Sequence, residues 1–356
     1  MRKTRVLVVD DSAFIRRTLP RLIADDPEIV VVGVAADGAE GVRMVKDLRP
    51  DVVTLDVLMP VMDGLTALKR IMTETPTPVL MVSSVTTEGA QATLEALSLG
   101  AIDFVTKPSG PVSLDIAVVQ RELLRKIKLA AGVDVTRKRF SDLLKEMKTG
   151  GLSRPTAPAT RAGPRDRRLV AIGCSTGGPA ALQLVLPNLP ARMNAGALIV
   201  QHIAAGFTRP LAERLDGLSE ITVREAEDDM PVTPGVALIS PADVHMTVVR
   251  QGGIVRVRLG PEPAGTAHRP SVDVLFRSIA TCCANEACGV ILTGMGDDGA
   301  LGMRDMHDNG AWTLAQDEAS SVIYGMPRRA VELGGVSLSL GLTEIAAEIA
   351  RATSGG

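Results

Sequence analysis

VAIGCSTGGPAAL, residues 170–182, passes from an apolar run through a glycine-flanked serine into a helix-forming run. Val170, Ala171 and Ile172 read as the end of a buried strand, and Ala180 to Leu186 as a helix. Pro179 suits the first helical turn, where a missing N–H costs nothing. The stretch is therefore a strand–turn–helix unit, the building block of a parallel sheet covered by helices. Its turn, Gly173-Cys174-Ser175-Thr176-Gly177, fits the G-x-S-x-G elbow that lifts a serine hydroxyl above the strand ends. The pattern leaves Ser175 as either a nucleophile or a residue in a glycine turn, and only partner residues elsewhere can decide.

The same alternation extends in both directions. Toward the C-terminus come a strand at 197–202, a helix at 208–218 and a β-rich span at 221–259. Within that span Gln251-Gly252-Gly253 separates HMTVVR from IVRVRL as a hairpin turn. A helix at 272–284, a strand at 289–294, a glycine-rich loop and a helix at 343–352 follow. Toward the N-terminus five strands are expected at 6–10, 29–36, 51–56, 78–83 and 103–107, alternating with helices at 13–25, 38–48, 64–73, 88–99 and 112–131. Between the halves, GLSRPTAPATRAGPRDRR (151–168) has no apolar period and reads as a linker. The expectation is two doubly wound α/β domains: 1–131, a basic linker 132–166, and 167–356. The first has sheet order 2-1-3-4-5; the second is mainly parallel and carries a β-hairpin.

Composition narrows the function. At 356 residues and 46% hydrophobic content the chain can bury two cores. Aromatics at 2% argue against stacking platforms for single-stranded nucleic acid, and a net charge of −2 gives no general pull toward polyanions. Residues 121–168 hold 14 Lys or Arg and 5 Asp or Glu, a net of +9, but no DNA-reading motif lies nearby, so a solvated tether is expected and no nucleic-acid partner. No apolar run reaches the length of a membrane helix, and Val6–Val9 is too short for a signal-peptide core; a cytoplasmic protein without membrane insertion is expected. Four cysteines make no disulfide framework, and Cys282, Cys283 and Cys288 lack zinc-ligand spacing. Cys174 occupies the variable position of the elbow and should point away from its reactive side.

In the first half, Asp10 and Asp11 end the first strand, Asp56 the third, Ser83 the fourth and Lys107 the fifth. In a 2-1-3-4-5 sheet these ends converge at the switch point, where ligands bind. Three clustered carboxylates need a hard divalent cation, for which Mg2+ is the natural candidate. A hydroxyl, an ammonium and a metal around Asp56 make a phosphoryl-accepting site. In the second half, His202 ends the apolar strand ALIVQH, whose carboxyl end falls on the rim that carries Ser175. His268, in GTAHRPS, reads as exposed loop, and His245 and His307 have no strand-end logic. The acid comes from GVILTGMGDDGALGM, where Asp297 and Asp298 both qualify; one should face the histidine and the other cap the next helix. The order serine, histidine, acid differs from that of the α/β-hydrolases. Elbow geometry makes the Thr176 N–H an oxyanion donor.

VLVVDDS, DVVTLDVLMPVMDG, MVSS and FVTKP together resemble the receiver domain of two-component response regulators, over roughly residues 3–125. The resemblance implies phosphorylation of Asp56 by a histidine kinase, with Phe104 at the position of an aromatic switch residue. GCSTGGPAAL, VQHIAAGFT, RPSVDVLF and LTGMGDDGA resemble the catalytic domain of the CheB-type protein-glutamate methylesterases, over about 168–350. That resemblance implies Ser175 as nucleophile, His202 as base, Asp298 as acid and the Met295 N–H as a second oxyanion donor. It implies glutamyl methyl esters, and glutamines, of methyl-accepting chemoreceptors as substrates, with no cofactor for hydrolysis. Two rival readings stand beside it: a receiver-controlled transcription regulator, which would need a basic helix-turn-helix output, and a hydrolase of other acyl substrates.

Overall fold

The computed structural model describes residues 2–107, 116–135 and 166–354; Pro108 and residues 136–165 of the expected linker lie outside them. The chain divides into two compact units, Met1–Lys145 and Glu146–Gly356.

The first unit is a five-stranded parallel sheet of order β2-β1-β3-β4-β5, as expected: β1 (Thr4–Val9), β2 (Ile29–Ala35), β3 (Val52–Asp56), β4 (Val79–Ser83) and β5 (Asp103–Thr106). Helices cover both faces, which is why β3 and β4 are buried along their whole length and are mostly apolar, interrupted only by Thr54 and by Asp56 and Ser83 at their carboxyl ends. Four helices start on capping side chains supplied by the loops, one of them on Thr86, which accepts from the Gly89 N–H at 3.1 Å. Ser12 accepts from the Ile15 N–H at 3.5 Å, Asp37 from Glu40 at 2.8 Å and Asp63 from Thr66 at 2.7 Å. Phe104 is buried in the core.

The second unit is a seven-stranded sheet of order β14-β13-β12-β6-β7-β9-β8 in which every pair is parallel. Its strands are β6 (Leu169–Cys174), β7 (Gly196–Gln201), β8 (Thr222–Glu225), β9 (Val236–Ile239), β12 (Ala287–Ile291), β13 (Trp312–Gln316) and β14 (Leu338–Leu340). The expected hairpin stands apart as a two-stranded antiparallel sheet, β10 (His245–Gln251) and β11 (Ile254–Gly260). Leu169, Ala171, Leu198 and Val200 alternate along β6 and β7 and bury one face against Val272, Leu275, Phe276 and Ile279 of the helix Val272–Cys283. The chain leaves β6 toward β7 on one side and returns to pair β12 on the other. The switch point of the sheet therefore lies at the carboxyl ends of β6, β7 and β12.

Two differences from the sequence reading concern the last third. The strand expected at 289–294 ends at Ile291, because the Thr293 N–H turns to donate to Gln316 Oε1 at 2.8 Å and Gly294 bridges to Tyr324. The stretch 300–341, in which the sequence shows no clear period, holds the helices Ala300–Asp308 and Met326–Glu332, the strand β13 and the edge strand β14.

Candidate active site

Ser175 follows β6 directly, and its backbone is tied on three sides. Its N–H donates to the Thr293 carbonyl at 3.1 Å. Its own carbonyl accepts the Gly178 N–H at 2.7 Å and Gln201 Nε2 at 3.0 Å. Gly177 turns the chain into the helix Gly178–Val185 at φ 78°, a left-handed conformation suited to glycine. The turn packs on Gly294: a β-carbon there would lie 2.8 Å from Ser175 Cβ and 2.2 Å from Met326 Sδ. Ser175 remains 8% exposed at the floor of the rim.

Register brings His202 alongside. Cys174 pairs with Gln201 across β6 and β7, so the next residues, Ser175 and His202, leave adjacent parallel strands together. The His202 N–H donates to the Cys174 carbonyl at 3.0 Å. Neighbouring strands are about 4.8 Å apart, within one side chain's reach. His202 Nε2 lies 2.7 Å from Asp298 Oδ2, while Nδ1 is buried with no hydrogen-bond partner.

Asp298 is the most heavily solvated carboxylate of the rim, though by protein and not water. Ser271 Oγ donates to Oδ1 at 2.8 Å, the Val272 N–H to Oδ2 at 2.8 Å and the Asp273 N–H to Oδ1 at 3.1 Å. These backbone donors belong to the first turn of the helix Val272–Cys283, whose dipole also favours an anion. Burial alone would push the Asp298 carboxyl up, but the His202 bond and these N–H groups hold it well below the ordinary value of 3.8. It is built to stay ionised beside an imidazole.

Asp297, its neighbour, is exposed, and the expected division of labour is only half present. Asp297 gives its carbonyl to the Ala300 N–H at 3.0 Å, but Gly299 is the N-cap of the following helix and no side chain caps it. Cys174 turns away from the rim: its Sγ lies 3.8 Å from the Val200 carbonyl, and burial raises the thiol far out of reach of neutral pH. Thr176 and Met295 flank the nucleophile from two sides. The Thr176 carbonyl accepts Thr293 Oγ1 at 3.0 Å, and Met295 follows Gly294, the residue packed on Ser175.

His268, expected to be exposed, is half-buried and stacks on His202 with ring centroids 4.1 Å apart and an interplanar angle of 17°. His245 is buried, at 1% exposure, behind Ser271. Gln201, Ser271 and Thr293 also escaped the sequence reading. A glutamine closing the apolar run ALIV, and a serine opening a helical period, were the available signals.

In the first unit the carboxyl ends of β1 and β3 bring Asp10, Asp11 and Asp56 together, with one oxygen of each within 4.8 Å of the others. Lys107 Nζ lies 2.7 Å from Asp56 Oδ2 and 3.0 Å from Asp10 Oδ2, and neither oxygen accepts an aligned hydrogen bond. Burial raises Asp56 to about 6; the Lys107 ammonium against it opposes this and repulsion from Asp10 adds to it. Burial likewise raises Asp10. Ser83, one residue past the Val82 that pairs with Asp56 on the neighbouring strand, donates through Oγ to the Ser84 and Gly89 carbonyls, both at 3.2 Å. Oxygen-only donors, two of them buried and Asp11 exposed, set three carboxylates against the single Lys107 ammonium and fit a hard divalent cation.

Sequence comparison divides the chain where the fold does. Residues 6–119 match the response regulator receiver domain family, and residues 170–349 match the CheB methylesterase family. A curated relative from Symbiobacterium thermophilum, named protein-glutamate methylesterase/protein-glutamine glutaminase, is 49% identical over 100% of this chain and 98% of its own. The chain belongs to the CheB methylesterase family. A relative of the same name from Pyrococcus abyssi is 44% identical over 99% of this chain and 94% of its own. The crystal structure of the Thermotoga maritima CheB methylesterase catalytic domain covers 52% of this chain and 98% of its own, with a TM-score of 0.51 and 38% identity. The switch-point rim of the second unit thus lies within the matched CheB region, and the carboxylate cluster of the first within its receiver.

Proposed function

We propose that this CheB-family chain is a phosphorylation-activated serine hydrolase that demethylates glutamyl methyl esters, and deamidates glutamines, on methyl-accepting chemoreceptors in the cytoplasm. The observation that carries the reading is the 2.7 Å His202–Asp298 pair on the rim that holds Ser175. His202 Nδ1, buried and unpartnered, has the lone pair that takes the Ser175 proton. Asp298 holds Nε2 as the N–H nitrogen and steadies the imidazolium that forms. The usual nitrogens are exchanged relative to the common triad, but the chemistry is unchanged: one nitrogen faces the acid, the other is the base.

Ser175 Oγ attacks the side-chain carbonyl carbon, and the backbone N–H groups of Thr176 and Met295 receive the oxyanion. The imidazolium returns its proton to the leaving oxygen and methanol departs; from a glutamine the leaving group is ammonia. Water then attacks the acyl-enzyme, giving its proton to His202; as the acyl C–O bond breaks the imidazolium passes that proton to Ser175 Oγ, releasing the glutamate side chain and the free serine. Hydrolysis itself draws on no cofactor.

In the receiver, Asp56 Oδ attacks the phosphorus of a histidine kinase's phosphohistidine; the new O–P bond replaces the P–N bond, the kinase imidazole leaves, and Ser83 and Lys107 hold the phosphoryl oxygens. Asp10, Asp11 and Asp56 would hold Mg2+, which supplies neutralising charge to that transfer. The absence, among the described residues, of any helix long and apolar enough to cross a membrane agrees with action on a receptor's cytoplasmic part.

Methanol release from methylated receptor membranes, with and without a small phosphodonor, tests the reading. The wild-type rate is expected to rise on phosphodonor and Mg2+, and Asp56→Asn to leave the basal rate in place while abolishing the rise. A full rise in Asp56→Asn would place phosphorylation elsewhere. Gly294→Ala gives a second check. Met326 can swing its thioether away from the new methyl, but Ser175 cannot retreat without moving the elbow. A loss of about 10- to 100-fold in the rate is expected, with a thermal transition lowered by overpacking that costs about 1–3 kcal/mol.

A further inference from the structure

His245 opens β10, outside the three residues assigned to chemistry, yet both of its ring nitrogens are engaged toward them. Nδ1 accepts the Ser271 N–H at 3.2 Å, which leaves that nitrogen without a proton and makes Nε2 the N–H. Nε2 then donates to Thr266 Oγ1 at 3.1 Å, and Thr266 Oγ1 donates onward to the His268 carbonyl at 3.0 Å.

Each arm ends on a support of His202. Along the first, Ser271 donates through Oγ to Asp298 Oδ1, and Asp298 holds His202 Nε2. Along the second, the His268 ring lies flat on the His202 ring. One buried imidazole thus stands behind both the acid and the stacking partner of the candidate base.

We infer that His245, as the neutral Nε2–H tautomer, is a positioning residue that fixes the orientation of His202 through Ser271–Asp298 on one side and Thr266–His268 on the other. The inference rests on the Ser175–His202–Asp298 reading. Burial and the nearby Arg269 charge lower the affinity of His245 for a second proton, in keeping with a ring that stays neutral while His202 cycles. A protonated Nδ1 would point a second donor at the Ser271 N–H and break the arm that leads to Asp298.

The two arms can be cut separately. Asparagine places an acceptor near the Nδ1 position and keeps the Ser271 arm; glutamine reaches the Nε2 position and keeps the Thr266 arm. In the full chain, His245→Gln is expected to lower kcat for methanol release about 10- to 100-fold with KM within about twofold, because a misaimed base affects the chemical step and not binding. His245→Asn should recover most of that loss. Wild-type kcat in folded His245→Gln, equal losses in both variants, or a change confined to KM would overturn the inference.

If His245→Gln fails to fold, Thr266→Val at the half-buried end of the chain decides. A loss of about 3- to 10-fold in kcat at constant KM supports positioning, and wild-type kcat overturns it. Ser175→Ala assayed in parallel separates the two levels. If it stays active, the triad reading itself has failed; if it is dead while both His245 variants behave as wild type, only the positioning role has.

Discussion

Ser175→Ala is expected to remove methanol release almost entirely, by about four to six orders of magnitude, in a protein whose fold is intact. The hydroxyl makes none of the bonds that hold the elbow. Those run through the Ser175 backbone, to Thr293, Gly178 and Gln201, and an alanine keeps all of them. The thermal transition should therefore match wild type while the rate collapses. Cys174 cannot substitute, because its sulfur is buried against the Val200 carbonyl. A variant that kept a tenth of the wild-type rate would remove Ser175 from the mechanism.

Asp298→Asn should cost about 10^3- to 10^4-fold in rate, against a change within about twofold for Asp297→Asn. Here stability falls as well. An amide presents its NH2 to one of the two sets of donors, Ser271 and Asp273 on Oδ1 or Val272 and His202 on Oδ2. One buried N–H loses its acceptor, at about 1–3 kcal/mol. The sign of the pH dependence follows from the direction of the shift. The folded carboxyl titrates below its ordinary value of 3.8, so its contribution to stability is present above that pH and is lost as pH falls below it. The wild type should lose more stability than Asp298→Asn on acidification through that range, as read by thermal melts at successive pH values. Equal activities of Asp298→Asn and Asp297→Asn, both folded, would mean the carboxylates act jointly.

The fold was legible because its strands are buried on both faces. Val79–Val82 is a solid apolar block and Val52–Leu55 is broken only by Thr54, and the capping residues Ser12, Asp37 and Asp63 mark where helices begin. The edge of the second sheet was not. β14 is the three-residue run Leu338–Leu340, too short for any period, and the helix Met326–Glu332 shows less than two turns of pattern. Strand-end residues of the rim could be read for the same reason as the strands: position along a parallel sheet places them. What could not be read is everything that acts by closing a long loop in space. Ser271 reaches Asp298 from 27 positions away and Thr293 reaches Thr176 from 117. His268 sits in a polar loop with no period, so nothing local says that its ring lies against another histidine.

The pairing of Cys174 with Gln201 has a consequence for how this chemistry is stored. Side chains are left to brace the elbow and aim the His202 ring, while the main chains of Ser175 and His202 take their places from a backbone ladder. Their spacing is written in the alignment of two strands, not in the walls around the substrate. Those walls can be rewritten residue by residue to admit another acyl side chain while the reacting pair stays put. A single residue inserted into β7 would do the reverse, leaving the walls intact while exchanging the faces on which Gln201 and His202 emerge. Specificity and reactivity are thus separate inheritances in this fold, and only the second depends on counting.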